Sequence, residues 1–74
     1  MVVNAWLTWD EEGCNGEGNL WCKRPTMDEW GNWNADDGYL SEVEPLCPVG
    51  KRLLAGMEPG DLQRVKITIE RVDR

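Results

Sequence analysis

Histidine and phenylalanine are both absent from the 74 residues, and Ser41 is the single serine. Without an imidazole the chain lacks the commonest general base, so neither Ser41 nor a cysteine has the partner that would activate it as a nucleophile. Zinc would need four ligands from Cys and His. Cys14, Cys22 and Cys47 stand apart, with no Cys-x-x-Cys spacing. Three cysteines make an odd count and no secreted disulfide framework, which points to a reducing cytoplasm, with a Cys14 to Cys22 bridge across a hairpin as the minor alternative. No apolar run approaches the ~18 residues of a membrane span, and no apolar leader segment follows Met1.

Other chemistries fail on spacing. Asp36 and Asp37, with Glu29, could be imagined as an acid and base pair, but so short a chain has little room for the desolvated cleft that separates two carboxyl pKa values. Asn32, Asn34 and Asp36 alternate as in a calcium loop. The sixth position is then Asp37 where glycine is needed, and the twelfth is Val43 where a bidentate glutamate is needed. Gly13, Gly16 and Gly18 precede a strand pattern and are surrounded by Glu11, Glu12 and Glu17, which would repel a phosphate. The chain therefore reads as non-enzymatic, with no metal and no cofactor.

What is present is tryptophan and negative charge. Five Trp and one Tyr supply the whole aromatic complement, and the indoles are expected to fill much of the core. Apolar residues are 41% and charged residues 30%, the balance of a folded domain rather than of an acidic tail. Residues 1–44 carry ten acids against Lys23 and Arg24, a net of −8, whereas residues 45–74 carry six bases against four acids, a net of +2. A total of −6 disfavours direct binding to nucleic acid or an anionic membrane and favours a partner with a basic surface, unless the charge serves solubility alone. No linker or repeat divides the chain, so residues 1–74 are expected to form a single domain.

Periodicity predicts a mainly β fold, a three- to four-stranded antiparallel sheet with long loops and at most one short helical turn. Residues 2–9 read as a strand with Val3, Ala5, Leu7 and Trp9 facing the core. Asp10 to Gly18 has turn chemistry and is longer than a tight two-residue connection. Residues 19–24 alternate again until Pro25, which gives a first hairpin. Thr26 and Glu29 have capping-box spacing, but Gly31 limits this stretch to a turn, and 31–38 reads as loop. Tyr39 to Val43 is expected as a short edge strand ended by Pro45, and 46–55 as a docked loop or single helical turn. Glu58-Pro59-Gly60-Asp61 is a strong turn signal. In Leu62 to Val72 the apolar Val65, Ile67 and Ile69 alternate with Lys66, Thr68 and Glu70, which predicts a central or at least well-paired strand. Cys22 and Cys47 are expected to act as small buried hydrophobes.

The candidate interaction surface lies in Asp28 to Tyr39, where Trp30, Trp33 and Tyr39 are interleaved with Asp28, Glu29, Asp36 and Asp37, and Trp30, Trp33, Tyr39, Asp28, Asp36 and Asp37 are singled out as its contact residues. Trp and Tyr anchor many protein interfaces, and acids around them complement Arg or Lys. The alternative is that Trp30 and Trp33 fold back as lids over a core without phenylalanine.

The order Trp6, Leu7, Asp10, Gly18, Leu20, Trp21, Pro25 resembles a type of small uncharacterised protein common in phage and prophage genomes, with Trp30 and Trp33 resembling its later tryptophans. The resemblance is confined to the N-terminal half, and the insertion Glu-Glu-Gly-Cys-Asn-Gly-Glu at 11–17 departs from it. It implies a β-rich accessory protein and carries over no functional residue. The expected function is stoichiometric binding or inhibition of another protein, a host or defence component on the phage-type resemblance. Two alternatives remain open: a nucleic-acid mimic whose carboxylates follow a phosphate track, and a small structural homo-oligomer that covers its own apolar surface.

Overall fold

The computed structural model describes residues 1–12 and 15–72. β-branched and aromatic residues dominate the first segment, which forms β1 (Val2–Glu12). It pairs antiparallel on one side with β2 (Asn15–Trp21) and on the other with β6 (Leu62–Thr68). β5 (Tyr39–Val43) pairs with the free side of β2, giving the order β5-β2-β1-β6. A separate two-stranded hairpin is made by β3 (Thr26–Met27) and β4 (Trp33–Asn34). The mainly antiparallel β architecture is thus as the periodicity predicts. Among the described residues no helix is long and apolar enough to cross a membrane.

Several local expectations are corrected. The stretch from Asp10 is not a long turn: the ladder continues to Glu12 opposite Asn15, so only two residues join the strands. Those two, 13 and 14, lie outside the described residues, and with them the Cys14 end of the considered bridge. The Leu62 strand stops at Thr68 and lies at the sheet edge, paired only with β1, with Val65 and Ile67 half-buried on it: alternation marks which face a side chain takes, not how many strands flank it. Ile69 is exposed, although its N–H still bonds the Met1 carbonyl. The 46–55 segment contains a seven-residue helix, α1 (Pro48–Leu54), nearly two turns rather than one. Cys22 is exposed rather than buried, and Cys47 is half-buried as the helix N-cap, its Sγ accepting from the Gly50 N–H at 3.2 Å.

One face of the sheet holds the core. Leu7 and Ala5 are fully buried there, and Val43 and Leu54 close over Leu7, with Trp9, Leu20, Met57 and Val65 packed around them. Two glycines make this possible. A Cβ on Gly18 would press on the Leu54 methyls at 3.0 and 3.1 Å, so the bare strand position is the socket for the helix. A Cβ on Gly50 would fall on the Glu44 carbonyl oxygen, so the first turn of α1 rests directly on backbone. The helix ends at Leu54 with Ala55 as its C-cap and Gly56 following at φ +81°, and the predicted turn comes next, Asp61 N–H to Glu58 O at 3.0 Å with Gly60 at φ +90°. Gly60 N–H reaches the Trp9 carbonyl at 2.7 Å and pins that turn to β1.

Candidate functional site: an aromatic and acidic cleft

The opposite face of the sheet is also covered, which alternation alone does not predict. Residues of even number on β1 meet odd-numbered partners on β2 here: Trp6 with Trp21, Thr8 with Asn19, and Asp10 with Glu17. Thr8 is completely buried, and Trp21 and Asn19 nearly so. The Trp21 indole N–H donates to Thr8 Oγ1 at 2.9 Å, which supplies the partner a buried indole requires.

A bulge sets the next strand. Leu20 pairs with Ser41, but Trp21 pairs with Tyr39, so Leu40 is the extra residue and is left exposed. Regular pairing would place Leu40 opposite Trp21. The bulge places Tyr39 there instead, edge-on to the indole with ring centroids 5.4 Å apart and planes at 73°.

These residues form one side of a cleft of about 270 Å³, lined by Asp10, Glu17, Asn19, Trp21 and Tyr39 from the sheet and by Asn32 and Trp33 from the β3–β4 hairpin. The hairpin is shaped by Asp28, whose Oδ1 accepts from both the Trp30 and Asn32 N–H groups at 2.9 Å. Its main-chain N–H also donates to the Asn32 carbonyl. Trp33 is half-buried, and its enclosed Nε1 has no hydrogen-bond partner.

The six residues singled out from the sequence are therefore distributed. Trp33 and Tyr39 meet in the cleft. Asp28 organises the hairpin behind it. Trp30 is 78% exposed, outside the cleft lining. Asp36 borders a second hollow with Arg24, Thr26, Asn34 and Ala35, and its carbonyl accepts from Lys23 Nζ at 3.4 Å. Asp37 holds the following turn at φ 54°, the left-handed region that Asp tolerates. The cleft's carboxylates come instead from Asp10 and Glu17, which residue composition assigns to a turn. The signal for them is strand parity, since Trp6, Thr8 and Asp10 share one face once the ladder runs past Trp9.

Comparison with family models, with curated proteins and with solved structures finds no match. The cleft's own chemistry is what bears on function.

The same face carries cations at its other end. Arg24 and Arg64 both stand over the Trp6 ring with their guanidinium carbons 5.1 Å from its centroid, and Arg64 is the direct cross-strand neighbour of Trp6. The face thus runs from a guanidinium-covered indole to the Trp21–Tyr39 edge contact and the Asp10–Glu17 cross-strand pair.

Proposed function

We propose that the protein acts by stoichiometric binding to another protein that carries a basic surface, and that the cleft is the contact. The observation that carries this reading is the convergence of Trp21, Trp33 and Tyr39 with Asp10 and Glu17 in one concavity. Rigid aromatic rings give contact area at little entropic cost, and carboxylates beside them speed encounter with a basic partner and select against acidic ones. On the resemblance to small phage-type proteins the partner is a host or defence component, met in the cytoplasm.

The test is capture by immobilised protein from a bacterial lysate, repeated with Glu17→Gln and Tyr39→Ala. A partner retained by the wild type, released by salt and lost with both variants supports the reading. Capture unchanged in both variants contradicts it.

A homo-oligomer is the second reading, and one observation favours it. Met1, Val2, Ile69 and Val72 are all exposed apolar residues at or beyond one end of the β1–β6 pair. Mass in solution decides between monomer and oligomer.

A further inference from the structure

We infer that the cleft is a receptor for a single arginine side chain of the partner, an inference that rests on the binding reading above. Three observations converge on a guanidinium. The first is size: about 270 Å³ lies below the ~300–1,000 Å³ of sites for drug-sized ligands and suits one long side chain with its backbone left outside.

The second is the lining. Trp33 and Tyr39 offer aromatic surface above the nearly buried Trp21, Glu17 places a carboxylate at one end beside its cross-strand partner Asp10, and Asn19 and Asn32 add side-chain amides. A planar fork of five N–H donors uses all three kinds of group at once, stacking on the rings while donating to the oxygens. An ammonium uses the charge but not the plane, and an anion is repelled by the carboxylates.

The third is the chain's own use of this pairing. On the same sheet face Trp6 is covered by the guanidiniums of Arg24 and Arg64. Among the described residues no cation stands over Trp33 or Tyr39, and Tyr39, 54% exposed and in edge contact with the nearly buried Trp21, keeps ring surface for a group supplied from outside.

Three blocked peptides identical but for one residue test this: acetyl-Gly-Arg-Gly-amide, its lysine counterpart and its citrulline counterpart, titrated into the full chain by calorimetry. Citrulline keeps the shape of arginine and removes the charge. The expected result is saturable arginine-peptide binding, with the citrulline peptide weaker by roughly tenfold or more and the lysine peptide between them. Glu17→Gln, isosteric and on a half-buried strand position, should remove most of the arginine preference, and Tyr39→Ala should weaken all three peptides.

Equal binding of arginine and citrulline peptides, or no binding of any, overturns the inference. Salt-sensitive capture of a protein alongside equal peptide binding would leave the partner reading standing and remove the arginine assignment. Selective arginine binding without capture of any protein would keep the assignment and remove the reading on which the partner rests. Each variant's circular dichroism spectrum, unchanged from wild type, separates loss of binding from loss of fold.

Discussion

The indole N–H of Trp21 donates to the hydroxyl of Thr8 across the β1–β2 pair at 2.9 Å, with Thr8 fully buried and Trp21 nearly so. This bond fixes the ring that forms the floor of the cleft. Thr8→Val keeps the shape of the side chain but leaves the indole donor unpaired, and should lower unfolding free energy by about 1–3 kcal/mol. Trp21→Phe combined with Thr8→Val should cost less than the sum of the two single changes, because the donor and its acceptor leave together. Urea titration of the four proteins measures this coupling.

The buried Nε1 of Trp33 has no acceptor, so its enclosure opposes closure of the hairpin wall. Trp33→Phe removes that donor and keeps an aromatic ring. It should be neutral or stabilising by up to about 1 kcal/mol, despite the smaller ring, whereas Trp33→Ala should lose the cleft wall. Thermal melting followed by circular dichroism distinguishes these from a core role for Trp33, in which both substitutions would be strongly destabilising.

Leu7 is 0% exposed at the centre of the apolar face, and Leu7→Ala should cost about 2–5 kcal/mol. Ile67 is only half-buried on the edge strand β6, so Ile67→Ala should cost clearly less than Leu7→Ala. Equal costs in denaturant unfolding would mean that β6 is covered by something beyond the contacts described.

Gly50 and Gly56 separate two kinds of glycine requirement. Gly50→Ala drives a methyl into the Glu44 carbonyl, which must push α1 outward and withdraw Leu54 from its socket at Gly18. A loss of at least about 1–3 kcal/mol is expected. Gly56→Ala meets open space, and only its φ of +81° opposes it, at about 1–2 kcal/mol. Melting temperatures should fall further for Gly50→Ala.

Much of the sheet is legible in the sequence because a two-residue period states which side chains share a face. Val3, Ala5, Leu7 and Trp9 declare β1, and Pro45 declares the end of β5. The cleft is less legible, for three physical reasons. Turn-type residues at 10–18 obscure a hairpin whose ladder is decided by pairing rather than by propensity. The bulge at Leu40 changes which aromatic ring faces Trp21, and a bulge leaves no mark in local alternation. The expectation that indoles fill much of the core holds only in part: Trp21 is buried and Trp9 packs against the apolar cluster, while Trp30 stands in solvent. Likewise the acids adjacent in sequence to Trp33 shape turns and a neighbouring hollow, and the acids adjacent to it in space come from the first hairpin.

Five tryptophans give five indole N–H reporters in a chain without histidine, and their positions divide cleanly between cleft and non-cleft sites. Two-dimensional nitrogen–proton NMR of the labelled protein during titration with the arginine peptide reads all five at once. Shifts at Trp21 and Trp33 that saturate together, with Trp30 unmoved, are the predicted result. Shifts confined to Trp30 or Trp6, with Trp21 and Trp33 unchanged, would contradict the cleft as the site of recognition.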